Sequence, residues 1–154
     1  MPQKIRKAAV KIMSLENMKV ISLYTTKEAV ADGMLIRVAD ADSQEAGIKY
    51  PVYLSRQVWQ KYVKVPADYT SEQDEKGRLW DILWMFMHAA KSCKSSDLEF
   101  HFICHIPNTG DWEEHESHTG DDPTYRLVKL KATIQAQDFD DPSPAIFILK
   151  PQED

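Results

Sequence analysis

Hydrophobic side chains are densest between Arg78 and Lys91. Ten of these fourteen residues are apolar: Leu79, Trp80, Ile82, Leu83, Trp84, Met85, Phe86, Met87, Ala89 and Ala90. The spacing predicts a helix over 78–91, a rod of roughly 21 Å. Gly77, with Asp74 and Glu75 before it, opens the segment and Lys91 closes it, matching acidic and basic charge to the two ends of the helix dipole. So wide an apolar surface calls for cover on most sides. Placed at 100° per residue, Arg78, Asp81, His88 and Lys91 fall on one arc together with Trp84 and Met85. Two large apolar groups among polar ones predict a second layer there, either another segment of the chain (the preferred cover) or a partner.

Period-two alternation dominates the C-terminal third. From Leu98 to Ile106, Leu98, Phe100, Phe102, Cys104 and Ile106 take one face, and Glu99, His101, Ile103 and His105 the other, which predicts a half-buried strand. Tyr125–Gln137 alternates likewise, with Val128, Leu130, Ala132, Ile134 and Ala136 on its apolar face, and pairs with the first strand as a long-looped antiparallel hairpin. A turn over 138–144 leads to a last strand at Ala145–Leu149. Upstream, residues 4–16 and 20–24 read as a short helix and a β-rich run. Thr25 or Thr26 caps a brief helix that stops at Gly33, Met34–Val38 reads as a strand, and 39–47 as a polar connection. Pro51 places the extended segment Tyr50–Leu54 at an edge or outside the sheet. Ser55 caps a helix to about Val63, with Val58, Trp59, Tyr62 and Val63 inward. The expected fold is α+β: a small antiparallel C-terminal meander with helices on one sheet face. Residues 1–19 form an extension and 20–154 one domain.

Composition adds little to this outline. A chain of 154 residues with 43% hydrophobic and 28% charged residues is that of a soluble globular protein. No apolar run reaches the length of a membrane span and no secretion signal is visible. Cys93 and Cys104 form no disulfide framework, so the expected setting is a reducing cytoplasm. Charge is unevenly placed. Lys4, Arg6, Lys7, Lys11 and Lys19 against Glu16 give residues 1–19 a net +4, which leaves −9 of the total −5 to the rest. Lys4, Arg6, Lys7 and Lys11 could grip phosphates, but they lack interleaved aromatics and read better as a solvated tail.

One loop has the density of a ligand site. His115 and His118 stand in an H-x-x-H spacing among Asp111, Glu113, Glu114, Glu116, Asp121 and Asp122. Imidazole with carboxylate suits zinc or another divalent ion, although Gly110 and Gly120 favour a solvated hairpin tip. Asp81 and His88 lie seven residues apart, ~10 Å along a helix, too far for an acid–base dyad; Asp81 with Arg78 reads as an ion pair. Calcium-loop, phosphate-loop, dinucleotide and serine-hydrolase signatures are missing.

The stretches KYPVYLSRQVW (Lys49–Trp59) and GRLWDILWM (Gly77–Met85), preceded by a short helix and a Gly-Met-Leu-Ile strand, resemble a family of bacterial proteins often carried by phages and plasmids and classed as a domain of unknown function. The resemblance covers roughly residues 20–105. It lends no catalytic residues and implies a cytoplasmic accessory protein of a mobile genetic element. The reading is a non-enzymatic binding or regulatory protein acting on a macromolecular partner, most simply another protein. Its surface is either the exposed aromatics or an acidic patch of Asp111, Trp112, Glu113, Glu114, Glu116, Asp121, Asp122, Asp138, Asp140 and Asp141, which could occupy a basic nucleic-acid site on that partner. The alternative is a divalent-metal-dependent hydrolase centred on His115 and His118.

Overall fold

The computed structural model describes residues 24–153; the helix expected at 4–16, most of the 20–24 run, and Lys4, Arg6, Lys7 and Lys11 lie outside them. The fold is α+β. Its elements in chain order are α1 (Thr26–Ala31), β1 (Leu35–Arg37), α2 (Asp40–Glu45), β2 (Val52–Ser55), α3 (Arg56–Val58) running into a π-turn (Trp59–Val63), α4 (Glu75–Ser92), β3 (Asp97–His105), β4 (Glu116–His118), β5 (Tyr125–Asp138) and β6 (Asp141–Leu149).

The strands form one mixed sheet in the order β1-β2-β6-β5-β3. The expected hairpin is present: β3 and β5 pair antiparallel from Asp97↔Thr133 to His105↔Tyr125. Three features depart from the expected meander. First, β2 lies inside the sheet, antiparallel to β1 and parallel to β6. Pro51 precedes the strand, where its missing N–H matters little, and its carbonyl still accepts from Ile146 N at 2.9 Å. Second, the polar loop contributes β4, antiparallel to β5. Since β3 occupies one edge of β5, β4 takes the edge that β6 leaves at Leu149. Third, helices stand on both sides of the sheet.

The main core is α4 against the sheet: Leu79, Ile82, Leu83 and Phe86 meet Phe100, Phe102, Cys104, Val128, Leu130 and Ile148, with Val58, Tyr62 and Val63 closing one end. Phe86 and Phe100 meet edge to face, as do Tyr62 and Phe102. On the opposite face Tyr53 stacks on Phe147 at 5.1 Å in a smaller cluster with Ala145 and Leu35. There Ala29 of α1 shares a concavity of about 720 Å³ with Leu35 and Phe147, remote from the buried charges described below.

Local signals set the helix ends. Asp74 caps α4 by accepting from Gly77 N at 2.7 Å, which moves the helix start three residues ahead of the expected Arg78. Ser55 caps α3 through Val58 N. Thr25 and Glu28 form a reciprocal capping box on α1, and Gly33 leaves it at φ 79°, a conformation open to glycine. Asp138, the last residue of β5, adds a second cap, accepting from Lys27 N at 3.0 Å. Thr25→Ala is therefore expected to lower stability by about 1 kcal/mol, read as a lower urea midpoint at unchanged m-value.

Candidate functional site

The acidic loop folds inward. In the turn before β4, Glu113 N donates to Glu116 Oε1 and Glu116 N to the Glu113 carbonyl, so the two glutamates hold each other's backbone. Pairing with β5 buries the Glu116 side chain completely beside Arg126, which is also fully buried. Arg126 occupies the inward phase of β5, two residues before Val128. Its Nη1 meets Glu116 Oε1 at 2.8 Å and its Nη2 meets Asp111 Oδ1 at 2.6 Å, while the guanidinium lies 4.2 Å from the centroid of the Trp112 ring.

The π-turn presents the next two groups. Lys64 N reaches back five residues to the Trp59 carbonyl, widening the helix where Lys61 and Tyr62 project. Lys61 Nζ donates to the Asp111 carbonyl at 2.9 Å and faces Glu113 Oε2 at 2.7 Å and Glu116 Oε2 at 2.9 Å. The Tyr62 hydroxyl donates to Glu116 Oε2 and lies 2.6 Å from His115 Nε2. Lys150, just past β6, grips Glu113 at 3.0 Å. Three carboxylates thus meet three cations drawn from three other parts of the chain.

These contacts decide the protonation states. Burial pushes the Glu116 carboxyl up, but donation from Tyr62, Lys61, Glu113 N–H and Arg126 outweighs it and holds the group below the usual range. Burial likewise opposes ionisation of Glu113 and Asp111. Lys61 and Lys150 prevail at Glu113, and Arg126 with Lys61 at Asp111, so both are lowered. Burial lowers His115 against the pull of Glu113 and Glu116. Since Tyr62 gives its proton to Glu116, His115 must donate Nε2–H to the Tyr62 oxygen. Its Nδ1 is then a buried acceptor without a hydrogen bond, 3.9 Å from Glu113 Oε1. Burial and Glu116 keep Tyr62 protonated. A carboxylate taking four donors has no lone pair left for a substrate proton. The cluster is a fastening among the π-turn, β4, β5 and Lys150.

A different surface, on α4, is left uncovered among the described residues. Trp80 stacks on Trp84 with ring centroids 5.5 Å apart, and Trp84 meets His88 edge to face at 4.6 Å. Trp84 is 42% and Met85 38% exposed, so among the described residues the cover expected from within the chain does not bury them. Arg78, expected beside them, turns the other way and is buried, donating to the Lys64 and His105 carbonyls. It makes no ion pair with Asp81. Burial raises Asp81, whose carboxylate takes one long contact from Gln73 Nε2 at 3.5 Å.

The model of a family of unknown function, DUF6573, matches residues 13–154. The chain belongs to DUF6573. No curated protein and no solved structure matches it. The DUF6573 match runs past Pro107 to the C-terminus, so it covers the fastened loop and the last two strands along with the two stretches that carry the resemblance.

Within this DUF6573 fold the residues expected to form an acidic patch are dispersed. Asp111, Glu113 and Glu116 are bound in the cluster. Trp112 lies under Arg126 and stacks on His118. Asp122 holds Thr124, Asp141 holds Ser143, and Asp138 caps α1. Glu114, Asp121 and Asp140 are exposed. The expected metal pair does not converge: His115 faces Tyr62 while His118 faces Trp112. Among the described residues no three His, Cys, Asp or Glu side chains are grouped to hold an ion. His105 is buried between Tyr69 and Tyr125 with Ser71 Oγ 3.0 Å from Nδ1. Cys104 is packed in the core, its thiol pushed up to about 12 by burial. No helix among the described residues is long and apolar enough to cross a membrane. Sequence reasoning missed Lys61, Tyr62, Arg126 and Lys150 as one group. A usable signal was the arginine on the apolar face of β5.

Proposed function

We propose that this protein is a non-enzymatic binding protein, the accessory factor of a mobile element that the resemblance implies, and that it engages a macromolecular partner through the outer face of α4. One observation carries this reading: Trp84 and Met85 are 42% and 38% exposed on the helix whose inner face anchors the core. Trp and Met are enriched at protein interfaces, and buried Trp is a frequent anchor of binding energy. The Trp80–Trp84–His88 stack orders these rings against one another, which reduces the entropy lost on docking. The acidic version of the same function is weakened because Lys61, Arg126 and Lys150 neutralise three of the six carboxylates of the loop.

The test is capture of partners from a bacterial lysate by the full chain, compared with Trp84→Ala and Trp84→Glu. Both variants should keep the far-ultraviolet spectrum and melting midpoint of the parent, since the ring is half outside the core. A hot-spot tryptophan contributes at least ~2 kcal/mol, so the captured protein should bind roughly 30-fold more weakly. Retention unchanged in both variants would remove α4 as the binding face.

A further inference from the structure

We propose that the outer face of α4 is self-complementary and pairs antiparallel with α4 of a second copy, about a twofold axis passing between Trp84 and Met85. This rests on the reading of that face as the binding surface and names its occupant. The argument is the order of groups along the face. From the N-terminal end come Asp74 and Asp81, then Trp84 and Met85, then His88 and Lys91. At 100° per residue, Asp74, Asp81, Trp84, Met85, His88 and Lys91 share one side of the rod. All are exposed except Asp81, which is half-buried. The strip is therefore acidic at one end, apolar in the middle and basic at the other.

A strip of that kind fits its own copy in one direction only. In parallel, like charges would lie side by side. In antiparallel about the stated axis, Trp84 faces the second copy's Met85, and Asp81 faces the second copy's His88. The second copy's Lys91 falls opposite Arg78, within about 6 Å along the axis of both Asp74 and Asp81. Each of these contacts occurs twice, as an isologous interface requires.

Three details support this arrangement. Arg78 would repel Lys91 across the axis if it stood outward, but its guanidinium is turned inside onto two carbonyls. Asp81, half-buried and held only by the 3.5 Å contact with Gln73, has unused acceptor capacity where a donor of the second copy would arrive. Gly77 and Ser92, which fall opposite each other in the same register, are small enough to let the two rods approach.

The measurement is sedimentation velocity of the full chain over a concentration series. The parent should move from monomer to dimer mass as concentration rises, and Trp84→Glu should weaken association at least tenfold. Lys91→Glu, at an exposed position, places a carboxylate between Asp74 and Asp81 of the second copy and should leave a monomer. Asp81→Lys should do the same by facing His88 and Lys91. Mixing these two variants, each with the parent's circular dichroism, should restore a dimer. The ammonium introduced by Asp81→Lys on one chain then meets the carboxylate introduced by Lys91→Glu on the other, while the native pair re-forms on the opposite side. A parent that stays monomeric, or a dimer indifferent to Trp84→Glu and Lys91→Glu, would overturn the pairing. Trp84-dependent capture of a different protein by a monomeric parent would overturn self-pairing while leaving the binding face intact. Monomer and no Trp84-dependent capture would remove both.

Discussion

Arg126→Ala is expected to lower folding stability by about 3–5 kcal/mol, the usual cost of removing one partner from a buried ion pair. The reason is what remains behind. Glu116 is fully buried, and without the guanidinium one of its oxygens keeps only the Glu113 N–H. Asp111 loses its 2.6 Å partner and Trp112 loses the cation 4.2 Å from its ring centroid. For a chain of this length each kcal/mol shifts the melting midpoint by roughly 2–4 °C, so a fall on the order of 10 °C should appear in calorimetry. The intact pair need not be a large net stabiliser, because desolvation offsets much of its attraction. A double-mutant cycle separates the two effects. In a Glu116→Leu background, Arg126→Met should cost far less than in the parent, giving a coupling of about 1–3 kcal/mol. Additive costs, or a single-variant loss below about 1 kcal/mol, would show that the pair does not fasten β4 to β5.

What the sequence disclosed follows from the range over which each signal acts. The alternation of Phe100, Phe102 and Cys104 with His101 and Ile103 is local, and so is the apolar sweep of α4; the strand, the helix and the β3–β5 hairpin are legible from them. Caps at Thr25 and Ser55 are carried by neighbouring residues and are visible for the same reason, whereas Asp74 reads only as a charge near the helix start and its cap sets α4 three residues before the expected Arg78. Burial of a charge is not local. Arg78 shares an arc with Asp81 and reads as its partner, yet the free carbonyls of Lys64 and His105 lie nearer to its reach in the fold. The loop at 111–122 displays its carboxylates in sequence, but the cations that neutralise them come from positions 61, 126 and 150, so it reads as a surface. The interior position of β2 is hidden because Pro51 counts against the segment as a whole, whereas it precedes the first ladder residue. The arc of Trp84 and Met85 is legible; that the described residues leave it uncovered is not, since cover depends on what packs there.

Lowering the pH should unfasten the cluster in two stages. A group bound by fewer protons in the folded than in the unfolded state makes stability rise with pH, so each group with a depressed folded pKa works against the fold as acid is added. His115 acts first. Burial lowers it from its ordinary value of 6.5, so the unfolded chain begins to take up a proton near that pH while the folded chain resists. Stability should therefore fall gently as pH drops below about 6.5, and the decline from this residue should end once the folded imidazole also protonates. Protonation there would put a second N–H on Nδ1, the atom that now lacks a hydrogen bond, beside Glu113. Glu113 and Glu116 act next, both held below the ordinary value of 4.5, with Asp111 below 3.8. Their contribution is fully present above those values and is lost as pH falls through the lower folded ones. The second decline should be the steeper because three carboxylates share the same cations and Tyr62 must give up its acceptor on Glu116. Urea midpoints measured from pH 8 to pH 3 would resolve both stages. His115→Gln should flatten the upper stage, since an amide can still donate toward Tyr62 without titrating. Arg126→Ala should shallow the lower stage, because Glu116 and Asp111 would then have less reason to stay ionised when folded. A profile flat above pH 5 in the parent, or an upper slope that survives His115→Gln, would show that the imidazole is not the first group to give way.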